Sequence, residues 1–156
     1  MFAQAIEDIL EDQCTPAVVR AIEAGGSTAA LWQALQGAGF LELLASEDAG
    51  GAGLPLADLF PILCSFGRYT VPVPVAQTIV ARALLGSQFA MPNGMITLGA
   101  ALRREADGAI VCSFTPYGRV ADFVLAQDGD ALLLLHCAAA QREASGVHGS
   151  LTATLR

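Results

Sequence analysis

Up to about residue 90, apolar positions recur at helical spacing. Ala3, Ile6, Ile9 and Leu10 share one face, with Glu7, Asp8, Glu11 and Asp12 on the other. Thr15-Pro16 predicts a helix start, a cap hydroxyl followed by a proline at the first helical position. Gly25-Gly26 ends that helix, and Ser27 or Thr28 caps a third carrying Leu31, Trp32 and Leu35, which stops near Gly37 or Gly39. A fourth begins at Pro55 with Leu56, Leu59, Leu63 and Phe66 on one face, and Pro61 inside it predicts a kink. After the stiff connector at Pro72 and Pro74, a last helix runs from about Val75 to Leu85, with Ile79, Val80, Ala83 and Leu84 as core candidates. Trp32, Leu35, Leu59, Leu63, Phe66 and Ile79 are expected to be buried together.

The texture changes at Met91-Pro92-Asn93-Gly94. Short apolar runs follow at Met95–Leu98, Ala109–Phe114, Phe123–Ala126 and Ala131–Cys137, with turn signals at Asp107-Gly108 and Asp128-Gly129. Helices first and strands after predict an α+β fold: an N-terminal helical bundle over 1–92, then a small antiparallel β-barrel-like domain over 93–156.

Composition narrows the function. The chain has 8 basic and 15 acidic residues for a net charge of −7, and every basic residue is arginine. There is no basic stripe for nucleic acid or an anionic membrane, and no lysine for a Walker motif or a Schiff base. The longest apolar run, Ala131 to Leu135, is too short to span a bilayer, and the start lacks a basic signal region. The expectation is a soluble cytoplasmic protein. Cys14, Cys64, Cys112 and Cys137 are widely spaced and read as core thiols.

Candidate chemistry is thin on the residues alone. Gly50-Gly51-Ala52-Gly53 precedes a helix but lacks a preceding strand and a following lysine, so it reads as a tight interhelical turn rather than a phosphate loop. His136 and Cys137 are adjacent on a strand and point to opposite faces, which argues against a nucleophile pair. His148 has no plausible partner, and no metal site is expected. Arg103-Arg104-Glu105 reads as a solvated turn, with anion binding as the other reading, and Glu47 and Asp48 read as loop caps. No catalytic residue is assigned.

One resemblance adds to this reading. The series Leu31-Trp32, Leu35, Gly39-Phe40-Leu41, Ser46 to Leu54, Asp58, Gly67-Arg68 and Val71-Pro72-Val73-Pro74 resembles the N-terminal helical domain of the acyl-CoA dehydrogenase family. The family's loop reads Pro-Glu-x-x-Gly-Gly-x-Gly-Leu; here Ser46 stands at its proline. The stretch Phe114 to Leu125 resembles the family's Trp-x-Thr/Ser-Asn-Gly-x-x-Ala-Asp strand through Gly118, Ala121 and Asp122.

The resemblance implies an oxidoreductase of fatty acid metabolism that oxidises an acyl-CoA thioester at its α,β-bond, with FAD as hydride acceptor. It places Thr97, Phe114 and Pro116 at flavin-binding positions. Phenylalanine keeps an apolar wall, whereas proline withdraws a hydroxyl and an N–H. The Glu and the Gly-Ser-Asp turn that follow the family's threonine are absent after Thr97. Arg156 falls about where the family's β domain hands over to a C-terminal helical domain. That domain carries the glutamate base, the arginine for the flavin pyrophosphate and the main oligomer contacts. The expectation is therefore the shortened first two domains of such an enzyme, inactive alone, as a homo-oligomer or a partner subunit. The alternative is a non-catalytic subunit of the same fold that docks on a complete partner.

Overall fold

The computed structural model describes residues 2–86, 89–147 and 149–156. The chain divides into two compact units, Met1–Pro92 and Asn93–Arg156. The first holds α1 (Phe2–Gln13), α2 (Pro16–Glu23), α3 (Ala29–Gly37), α4 (Leu56–Arg68) and α5 (Val75–Leu85), with short 3-10 turns at Phe40–Glu42 and Glu47–Ala49. Thr15 caps α2 as its sequence predicts, its hydroxyl accepting from the Val18 N–H. Ser27 rather than Thr28 supplies the hydroxyl at the start of α3, accepting from the Ala29 N–H.

Helix α1 packs on α3 and α4. Ile6 and Leu10 of α1 and Leu35 of α3 are fully buried. The acidic side of α1 also serves the packing: the Ser65 hydroxyl donates to Glu7 at 2.9 Å and the Tyr69 hydroxyl to Glu11 at 3.1 Å. Two stripes lie rotated from the expected faces. On α4, Leu59, Ile62 and Phe66 are buried, Leu63 is half-buried, and Leu56 is exposed. On α5, Ile79 is buried as expected, but Thr78, Ala81 and Arg82 accompany it, while Ala83 and Leu84 face outward. The reason is local for α5: its buried face meets the Phe40–Glu42 turn, where Glu42 provides a charged partner that an apolar stripe does not need.

Among its described residues the second unit has seven strands: β1 (Ile96–Gly99), β2 (Leu102–Arg104), β3 (Ile110–Thr115), β4 (Phe123–Asp128), β5 (Ala131–His136), β6 (Arg142–Ala144) and β7 (Ala153–Leu155). They form two sheets, ordered β1-β4-β5 and β2-β3-β7-β6. The Asp128-Gly129 signal becomes the β4–β5 hairpin, in which Asp128 pairs with Ala131 and Gly129 has φ +60°. Asp107-Gly108 becomes the β2–β3 turn, with Glu105 N–H bonded to Ala109 C=O. One pair differs from the antiparallel expectation: β1 and β4 run parallel, Ile96 opposite Phe123. Between them the chain leaves the sheet to build β2 and β3 in the other one, and such a crossover returns parallel. The two sheets do not close into a barrel. Cys112, Val124, Ala126, Cys137, Ala153 and Leu155 form their shared core.

No helix among the described residues is long and apolar enough to cross a membrane.

Candidate functional site

The three residues that the resemblance places at flavin positions lie around one turn. Thr97 on β1 is fully buried and donates its hydroxyl to the Pro116 carbonyl at 2.6 Å. Phe114 sits where β3 and β7 lose register between Cys112 and Thr115. Its backbone is left-handed, φ +48°, and its N–H reaches the Thr154 hydroxyl at 3.4 Å. The phenyl ring is turned outward, 67 % exposed. The residues that match the family strand have structural work beside it. Ala121 is fully buried, and the Asp122 carboxylate accepts from the Met95 N–H at 2.8 Å. Gly118 lies where a Cβ would sit 3.0 Å from the Thr115 carbonyl and 3.1 Å from Ala153 Cβ.

This arrangement offers a flavin ring one apolar face, that of Phe114. The Thr97 hydroxyl is spent within the fold, and Pro116 has neither hydroxyl nor N–H. The three residues fit an apolar wall; they do not fit a polar grip.

The glycine loop is closed on itself. The N–H groups of Gly50, Gly51, Ala52, Gly53 and Leu54 donate to the carbonyls of Glu47, Ser46, Glu42, Ala45 and Leu43. No such donor is left to cradle a phosphate, as the interhelical-turn reading requires. Gly51 is obligatory here: a Cβ would lie 2.2 Å from the Ala45 carbonyl oxygen and 2.5 Å from that of Glu42.

The other candidates fall away on geometry. His136 is exposed and stacks on Phe123 at 4.8 Å, while Cys137 is buried with its thiol toward the Leu135 carbonyl. Burial pushes the Cys14, Cys112 and Cys137 thiols up from their ordinary value. Cys64 is exposed rather than a core thiol, because the buried stripe of α4 turns away from it. Arg103 and Arg104 lie within β2 rather than on the turn, paired with Glu105 at 3.0 Å and Asp128 at 2.6 Å. His148 lies outside the described residues. Among the described residues no group of three or more His, Cys, Asp or Glu could hold a metal ion.

Comparison with known proteins decides the family. The family profile described as "Acyl-CoA dehydrogenase, N-terminal domain" matches residues 1–90. The chain belongs to the acyl-CoA dehydrogenase family. Acyl-CoA dehydrogenase IpdE2 of Mycolicibacterium smegmatis is 30% identical over 138 residues, covering 85% of this chain and 43% of the relative. Its counterpart in Mycobacterium tuberculosis is 33% identical over 132 residues, 81% of this chain and 41% of that protein. The chain thus spans about two fifths of the length of these curated acyl-CoA dehydrogenases. Two solved structures share the fold. A Tcur3481-Tcur3483 steroid ACAD variant has a TM-score of 0.71 at 23% identity, covering 98% of this chain and 52% of that one. The ChsE4-ChsE5 complex from Mycobacterium tuberculosis has a TM-score of 0.70 at 20% identity, covering 99% and 52%.

Proposed function

We propose that this chain supplies the helical and β portion of an acyl-CoA dehydrogenase-type flavoprotein that oxidises an acyl-CoA thioester between its α and β carbons. The observation that carries this reading is the family's N-terminal-domain match over residues 1–90, followed by the Gly118, Ala121 and Asp122 strand. In such a reaction FAD supplies the hydride acceptor. A carboxylate base must sit at near-contact distance from the α-carbon.

Within that reaction Phe114 is the residue of this chain proposed to lie against the flavin. Thr97 and Pro116 act behind it by pinning the turn to β1. The base is proposed to come from outside residues 1–156. None of the 15 acids is buried, and those nearest to packed surfaces are committed: Glu42 to Arg82, Glu7 to Ser65, Asp122 to Met95. That two of the similar structures are named as two-component proteins supports action within an assembly, as a homo-oligomer or with a partner subunit.

The test uses recombinant residues 1–156, saturated with FAD and then desalted. The chain is expected to keep well under one flavin per molecule and to show no acyl-CoA-dependent dye reduction. Near-stoichiometric flavin or turnover would place grip and base within this chain and overturn the division of labour.

A further inference from the structure

Strand β5 lies at one end of its sheet and pairs only with β4 among the described residues. The direction of its hydrogen bonds follows from the hairpin. The two-residue turn Gly129-Asp130 closes on the Asp128–Ala131 pair, and at the far end Cys137 N–H donates to Asp122 C=O at 2.8 Å. Alternation between these two points turns the backbone of Ala131, Leu133 and Leu135 toward β4. The N–H and C=O groups of Leu132, Leu134 and His136 therefore point away from the sheet, along an edge that no described strand covers.

Such an edge is normally guarded by a lysine, a proline, an inward charge or a bulge. Strand β5 carries none of these. Ala131 to Leu135 is uncharged, and the register with β4 runs unbroken over six pairs. Leu132 is 51 % exposed and His136 is exposed beside it; with Leu134 they share one face of the strand.

The edge is self-complementary. A second copy turned about a two-fold axis at Leu134 sets Leu134 opposite Leu134 and Leu132 opposite His136. The three outward N–H groups of each copy then all meet carbonyl acceptors of the other. Charge favours this orientation over the parallel one. Asp128 and Asp130 stand at one end of β5, and no acid follows His136 before Glu143. Parallel pairing stacks the two acidic turns, whereas antiparallel pairing sets them a strand apart, each toward the end that holds the other copy's His136.

We propose that β5 is a docking edge for a second copy of this chain, so that two three-stranded sheets join into one across the dimer. The inference gives the homo-oligomeric form of the proposed assembly a surface. It does not rest on the proposed reaction, so its failure leaves that reading untouched. One strand pair is a small interface, and the dimer is expected to be weak.

The experiment follows residues 1–156 by sedimentation from about 10 μM to about 1 mM, the range in which small interfaces associate. Dimer is expected to hold about half of the chains near 100 μM. Amide exchange read by NMR locates the contact. Leu132, Leu134 and His136 are expected to exchange about fivefold more slowly at the high concentration, while Leu133 and Leu135 are protected at both. Leu134→Lys puts like charges opposite each other on the axis and is expected to weaken the dimer about tenfold or more. Should that variant fail to fold, Leu132→Lys alters an exposed side chain of the same edge and is expected to act in the same direction. A chain that stays monomeric throughout overturns the proposal, the case of an edge that takes only a strand of another protein included. So does a dimer in which the exchange of Leu132, Leu134 and His136 is independent of concentration, or one that the folded lysine variants leave unchanged; either puts the contact elsewhere.

Discussion

The Thr97 hydroxyl donates to the Pro116 carbonyl at 2.6 Å, tying the first strand of the β unit to the turn that carries Phe114. A side chain that the resemblance places at a flavin position is engaged here in a buried structural bond. Thr97→Val keeps the shape and removes the donor, leaving that carbonyl short of this partner. The expected cost is about 1–2 kcal/mol, read as a lower urea midpoint with unchanged slope. Thr97→Ser is expected to recover part of it.

Phe114 gives the opposite expectation. Its left-handed backbone disfavours a bulky residue, and its ring is largely exposed. Phe114→Gly should therefore leave stability unchanged or raise it by up to about 1 kcal/mol. Thermal unfolding checks this. If Phe114 is the flavin wall, the same substitution weakens FAD retention in the assembled enzyme.

Two glycines separate close approach from mere flexibility. Gly51→Ala forces a Cβ against two carbonyl oxygens of the Glu42–Ala45 turn, and at least about 2 kcal/mol of destabilisation is expected. Gly37→Ala, at the end of α3 with open space around it, is expected to stabilise by about 0.5–1 kcal/mol. Denaturant titration of the pair distinguishes the two effects.

The cysteines predict a pH dependence. Burial raises the Cys14, Cys112 and Cys137 thiols above the ordinary 9.0. A group held protonated in the folded state contributes its full stability below the unfolded value and loses it as pH rises through the folded one. Stability from these thiols is therefore intact at neutral pH and falls above 9.0. Urea midpoints measured across that range check the sign. Iodoacetamide at neutral pH is expected to label Cys64 first, with the other three protected until the chain unfolds.

Much of the fold was legible because strong local signals agreed. Thr15-Pro16, Pro55 and the Pro74–Val75 junction coincide with real helix starts, and the apolar runs became β1, β3, β4 and β5. Strands β2, β6 and β7 were not legible. They are three residues each, and two of them carry arginine or glutamate on exposed positions; their order comes from the partner strand. The parallel β1–β4 pair depends on a crossover, which no local pattern records. Arg82 was missed because a charged residue in an apolar helix reads as solvent-facing. Its only signal is the spacing Val75, Thr78, Ile79, Arg82, which puts it on the buried face. Phe114 and Pro116 were proposed from the family strand and Thr97 from the family's threonine, and only the structure shows the Thr97 hydroxyl already in use.

The most direct measurement is made on the assembly recovered through a tag on this chain from the cells that make it. Saturated acyl-CoA thioesters are added without oxygen while flavin absorbance is followed. FAD is expected in the assembly, together with its bleaching by acyl-CoA, with neither property in residues 1–156 alone. An assembly without flavin, or with flavin that no acyl-CoA reduces, would contradict it.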